Sequence, residues 1–520
     1  MNRRTFLLSA GATAVLLAFR NKLSFAKGEA AVPVKAPKPP TEPLLAPWKG
    51  PYGGVPPFDK IKVKDFKPAL MKGMDLSRAD IKAITDSKDA ATFENTIAAF
   101  EDSGRHYGRA GSMFGTFTST MNDKAMQKVQ KEMAPVMAAF SDEIIQNEAL
   151  FARIKTVYDG RAKANLTPEQ LRLVEKHYTS FARQGAALNK DQKAKLAEIN
   201  KKLAEAFTAF EQNQLHDEES EQIVIDKEED LAGLPESIRG AMKAAADAKK
   251  LKGKWVITNT RSSAEPFLSY SSRRDLREKV FKMWNSRGDH DGEHDNKPVM
   301  LQILALRGER AKLLGFKSHA HWIIDDNMAK TPDNAMNLMM RVWKAATGRV
   351  KEEVADMQKI ADAEKANIKI EAWDYRYYAE KVRKAKYDLD QDQIKEYLQL
   401  DKLREAMFWA AGQLYGFEFK LLKDKNIPVY QKDMTVYEVV RDGKHVGLWY
   451  FDPYARAGKN SGAWMSEYRT QENFKGDVTP IVSNNCNYVR TKPGQPVLIS
   501  WDDANTMFHE FGHALHGLNS

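Results

Sequence analysis

The stretch Phe508-His509-Glu510-Phe511-Gly512-His513-Ala514-Leu515-His516-Gly517 carries the densest chemistry in the chain. On a helix, four residues advance by about 400° and ~6 Å. His509 and His513 then face the same way, one turn apart, and two imidazoles so placed can share one Zn²⁺. Glu510 sits beside that face, positioned to hold a water rather than the metal. The pattern makes His509 and His513 candidate metal ligands and Glu510 a candidate catalytic base.

The flanks read as the setting such a helix needs. Pro496-Val497-Leu498-Ile499-Ser500 has the composition of a short β-run. Asp502 and Asp503 supply N-cap and first-turn carboxylates. Met507, Phe508, Phe511, Leu515 and Leu518 recur at helical spacing and predict one buried side. A third histidine ligand of the H-E-x-x-H-x-x-G-x-x-H kind is excluded, because position 516 is His and position 519 is Asn. His516, seven residues after His509, lies too far along one straight helix to join the same ion and reads as a supporting or packing residue.

Composition is that of an ordinary globular chain: 520 residues, 42% hydrophobic and 29% charged. The net charge of +10 raises nucleic-acid binding as a possibility. Lys and Arg are interleaved with acids and form no aromatic-punctuated basic block, which argues against it. The N-terminus, Asn2-Arg3-Arg4-Thr5-Phe6-Leu7-Leu8 followed by an apolar stretch to Phe19 and Ser24-Phe25-Ala26, reads as a twin-arginine export signal over 1–26. Its removal takes away Arg3, Arg4, Arg20 and Lys22 and lowers the net charge from +10 to +6. The expected location is therefore periplasmic or exported, with no membrane span in the mature chain. The single cysteine, Cys486, fits export without disulfides and reads as a buried small residue rather than a nucleophile.

Residues 27–57 are proline-rich and read as a linker or wrapping arm. Residues 58–430 read as a helical body. Leu196, Ile199, Leu203, Phe207 and Phe210 mark one long amphipathic helix, and Thr331-Pro332 marks a helix start. Two short runs, Ile223-Val224-Ile225 and Trp255-Val256-Ile257, interrupt it as strands. Residues 431–520 read as a small sheet plus the histidine helix, with a hairpin of Val436–Val440 and Val446–Phe451 turning at Asp442-Gly443. Gly462–Met465 and Val478–Val482 are further strand candidates. Asp388–Asp392 lacks the glycine and terminal acid of a calcium loop and reads as a helix cap. Asp289-His290-Asp291-Gly292-Glu293-His294-Asp295 reads as a polar loop between helices rather than a metal site, and His319 and His321 as structural residues. The fold class expected is mainly α, a large helical molecule with a small β-sheet beside the histidine helix.

Three further segments, Leu306–Phe316, Trp373–Glu380 and Ser461–Met465, join the closing Trp501–Gly517 in a family resemblance. From about Leu45 onward the chain resembles the zinc metallopeptidases that include thimet oligopeptidase, oligopeptidase A and peptidyl-dipeptidase, nearest to the bacterial dipeptidyl carboxypeptidase branch. The resemblance implies a two-lobed helical peptidase with one Zn²⁺, acting on short peptides as a monomer. It implies release of C-terminal dipeptides, with internal cleavage as the alternative, and substrate backbone pairing at Gly462, Ala463 and Trp464. In that family a Glu on the following helix completes the zinc site and Tyr and His donors lie beyond it. These positions fall after Ser520, so the expectation is a chain missing the C-terminal part of its catalytic domain and inactive by itself. A non-catalytic peptide-binding protein is the remaining alternative.

Overall fold

The computed structural model describes residues 40–388, 391–423, 427–491 and 494–520. Residues 1–26, read from sequence as an export signal, and the first part of the proline-rich stretch lie outside them. The architecture is mainly α, as expected. Helices that frame the molecule are α1 (Val63–Asp86), α2 (Arg105–Thr120), α3 (Lys124–Ile145), α4 (Lys190–Ser220), α5 (Arg274–Asn285), α6 (Asn296–Leu313), α7 (Pro332–Ala363), α8 (Tyr375–Tyr387), α9 (Leu400–Tyr415) and α10 (Trp501–Leu518), with further helices between them. No helix among the described residues is long and apolar enough to cross a membrane.

Local sequence explains the boundaries. Asn189 caps α4 by accepting the Gln192 N–H, and Leu196, Ile199, Leu203 and Phe207 bury one stripe of it. Thr331 caps α7 and Pro332 occupies its first position, where the missing N–H costs nothing. Asp388 ends α8 in the left-handed region at φ +52°. Leu389 and Asp390 of the same acidic run lie outside the described residues.

Two sheets form. β1 (Gln222–Ile225) and β2 (Trp255–Thr258) pair antiparallel. The larger sheet contains β3 (Phe417–Leu422), β4 (Thr435–Arg441), β5 (Lys444–Tyr454), β6 (Trp464–Arg469) and β7 (Ile481–Tyr488) in the order β3-β4-β5-β7-β6. The β4–β5 turn puts Asp442 at φ +52° and Gly443 at +73°, the two positive values a two-residue hairpin with the sheet's natural twist demands. β5 and β7 run parallel, and β6 is an edge strand.

Two expectations need correction. The helical body stops at Tyr415, and β3 lies inside the region read as helical up to 430. Its partner β4 overrides its charged residues Glu418 and Lys420, which face outward on an edge strand. Conversely, Pro496–Ser500 forms no strand; only Leu498 makes a single antiparallel bridge, to Gln399.

The larger sheet is buried on both faces. Val436, Leu448, Tyr450 and Ile481 join a core with Leu45, Phe58, Phe66 and the N-terminal helices. The alternate residues Tyr437, Val439, Trp449, Phe451 and Val482 join a second core with α9 and α10. Period-two alternation thus divides one strand between two apolar layers. Residues of the arm take part: Leu44 and Leu45 are buried. Arg469, at the end of β6, donates to the carbonyls of Tyr52, Gly53 and Gly54.

Buried polar groups tie layers together. Asp374, fully buried before α8, accepts from Arg274 and from the buried Arg277 of α5. Asn484 of β7 accepts from the Trp449 indole at 2.6 Å and donates to the Glu510 carbonyl at 2.6 Å, so one amide fastens α10 to the sheet.

Asp374→Ala leaves the Arg277 charge buried and uncompensated, and urea unfolding should show a loss of about 3–5 kcal/mol. Asn484→Ala strands the Trp449 N–H and should cost about 1–3 kcal/mol in the same measurement. A change near zero in either variant contradicts the role given to that residue.

Candidate metal centre

α10 begins at Ser500, whose hydroxyl accepts the Asp503 N–H at 3.0 Å while the Asp503 carboxylate accepts the Ser500 N–H at 3.3 Å. The cap is therefore Ser500 rather than either acid, and Asp503 completes a capping box. Met507, Phe511, Ala514 and Leu518 are buried against the sheet. Phe508, expected on the buried side, is 40% exposed, because it falls on the outward stripe shared with His509 and Gly512.

His509 and His513 lie on that outward stripe with ring centroids 5.0 Å apart and planes inclined at 75°. Two rings at this separation on one helix face can turn a nitrogen each toward a common ion with bonds of ~2.0 Å. Among the described residues His509 and His513 belong to no three-ligand group with all its donor atoms within 4.8 Å of one another. Glu510, next to His509 in the chain, is 3% exposed, and its charge reaches Cys486 and Tyr488 of β7. Its backbone is the one Asn484 grips. The position of the helix, of Glu510 and of both imidazoles thus depends on contacts one layer deep.

His516 points outward and acts electrostatically on Glu467 of β6. Burial raises the Glu467 carboxyl above its usual range, and His516 opposes that rise. The helix can come this near because residue 517 is glycine. A Cβ there would meet Glu467 Oε1 at 2.9 Å and Val482 Cγ1 at 3.0 Å.

Trp464 opens edge strand β6, opposite Asn485, and Met465 stands opposite Asn484. Gly462 lies just before the strand at φ +92°, with open space where a Cβ would be. Asn487 holds this lead-in by donating to the carbonyls of Asn460 and Gly462. Ala463 and Met465 pack on the same core as α10. Gly462, Ala463, Trp464 and the histidine helix are therefore gathered on one corner of the sheet.

The preceding loop is fixed from within. Lys459, whose side chain is fully buried, donates to the carbonyls of Asp452, Tyr454 and Cys486. Burial pushes its pKa down to about 8 despite the Asp452 carboxylate beside it. Burial also pushes the Cys486 thiol up to about 12, which leaves almost no thiolate for nucleophilic chemistry. Sequence reading missed Asn484, Lys459 and Glu467. The only signal for the first was an unusual Asn-Asn-Cys-Asn run within a strand.

The sequence profile described as "Peptidase family M3" matches residues 267–520. The chain is 37% identical over 481 residues to the dipeptidyl carboxypeptidase of Salmonella typhimurium, covering 92% of this chain and 70% of that protein. It is 36% identical over 466 residues to the Escherichia coli dipeptidyl carboxypeptidase, covering 89% and 68%. Against the Escherichia coli oligopeptidase A it is 30% identical over 484 residues, covering 92% and 70%. With the H-E-x-x-H helix seated on its sheet and similarity at this level along nine-tenths of its length, the chain belongs to peptidase family M3.

Proposed function

We propose that this chain is an exported zinc metallopeptidase that acts on short peptides and releases C-terminal dipeptides. The observation that carries the reading is the His509–His513 pair on the outward face of α10. The donor set fits zinc: two imidazoles, with a carboxylate as the third ligand that the described residues do not bring to the pair. When bound, zinc polarises the scissile carbonyl and lowers the pKa of a water.

The chain's own residues do the remaining work. Glu510 takes a proton from the attacking water and returns it to the leaving amine. The free edge of β6 near Gly462, Ala463 and Trp464 lends backbone groups to an extended peptide. Release of dipeptides is preferred over internal cleavage because the two dipeptidyl carboxypeptidases are more similar to this chain than oligopeptidase A is. The protein acts as a monomer in the periplasm, reached by the twin-arginine route, and binds no nucleic acid. With two ligands at the pair, the 520 residues alone hold zinc there weakly and turn over negligibly.

Loaded with zinc and dialysed, the 520-residue chain should retain no more zinc than its His509→Ala/His513→Ala variant and leave a blocked tetrapeptide intact. Extended by the C-terminal sequence of the Salmonella relative, it should gain one zinc equivalent and cleave that peptide. In the extended protein, Glu510→Gln should lower turnover roughly 10²–10⁴-fold with zinc content unchanged. Amidating the C-terminus of the substrate should abolish cleavage. Robust cleavage by the 520 residues contradicts the two-ligand reading; loss of zinc in Glu510→Gln contradicts the base assignment; cleavage of amidated substrate favours internal cleavage.

A further inference from the structure

A second group of metal-type donors converges away from α10. Asp217 near the end of α4 and Glu221 at its C-cap are one helical turn apart, and His290 reaches them from the loop between α5 and α6. One ligand atom from each lies within 4.8 Å of the other two. One cation with bonds of about 2.0–2.4 Å can touch all three.

The group is built into the interior rather than scattered on a surface. Asp217 is 1% exposed. Both donors that reach its carboxylate, the Gly288 N–H at 2.6 Å and His290 Nε2 at 2.9 Å, use Oδ2. Its other oxygen has no donor among the described residues. Asn259, fully buried, lies against Glu221 through Nδ2 at 3.1 Å, and its Oδ1 has no hydrogen-bond partner. No Lys or Arg among the described residues forms an ion pair with Asp217 or Glu221. Asn259 Oδ1 is thus a buried polar atom left unsatisfied beside the cluster.

We propose that Asp217, Glu221 and His290 form a second divalent-cation site, structural in role, whose two carboxylates and one imidazole suit Zn²⁺ or Mn²⁺. Its position gives it work to do. The adjacent Glu218 accepts from Ser461 Oγ at 2.6 Å and pairs with Arg287, and Glu219 accepts the Gly458 N–H at 2.7 Å. The same turn of α4 therefore anchors the loop that leads into Gly462 and β6. A cation here ties that turn to the 286–295 loop and stiffens the anchor. This inference is independent of peptidase activity.

The test uses the full chain carrying His509→Ala and His513→Ala, which removes the imidazole pair on α10. After exposure to Zn²⁺, and separately Mn²⁺, followed by dialysis, bound metal is measured by mass spectrometry and stability by thermal unfolding. One equivalent per chain is expected, with a metal-dependent rise in Tm. Adding Glu221→Gln or His290→Ala, both partly exposed positions, should abolish the retained metal and the Tm rise while leaving the metal-free Tm close to that of the parent. Absence of retained metal and of any Tm rise with both ions overturns the site. Retention that neither substitution changes overturns it as well.

Discussion

One side-chain amide sets the geometry on which this molecule's chemistry depends. Asn484 lies inside a sheet buried on both faces, with the Trp449 indole on its oxygen and the backbone carbonyl of Glu510 on its nitrogen. In such an interior each of those groups would cost free energy if left unpaired. The clasp therefore has one good arrangement, and α10 takes it. Once the helix is seated, its periodicity does the rest: Met507, Phe511, Ala514 and Leu518 go inward, and His509 and His513 go outward together.

The sheet can serve as that platform because it is wedged between two apolar layers. Val436, Leu448 and Tyr450 look toward the N-terminal helices, and Tyr437, Trp449 and Phe451 toward α9 and α10. Distant parts of the chain close the arrangement. Arg469 on β6 holds the carbonyls of residues 52–54, and Arg105 on α2 pairs with the buried Glu472 just beyond β6. The histidine corner is accordingly assembled from both ends of the chain, and its rigidity is a property of the whole fold rather than of the segment that carries the motif.

What could be read from the sequence follows this division between local and long-range causes. The histidine pair, the Asp442-Gly443 hairpin, the Thr331-Pro332 helix start and the α4 stripe are legible because each needs only neighbours a few residues away. β3 was not, because its charged alternation becomes a strand only when β4 supplies the partner. Phe508 fell on the wrong side because apolar spacing cannot tell the edge of a buried stripe from its centre. Asn484 and the Asp217–Glu221–His290 group were invisible for a plainer reason: their partners lie 26 to 73 residues away. Read alone, the 289–295 loop lacks the two acids that α4 brings to it.

The central claim is that the seated helix offers two imidazoles to one divalent ion as a unit. Titrating the protein with zinc while following the imidazole nitrogen resonances of its histidines by NMR tests this directly. His509 and His513 should shift together along one binding curve, and Asn484→Ala should weaken that shared curve. Independent curves for the two rings, or a response from only one of them, would contradict the account.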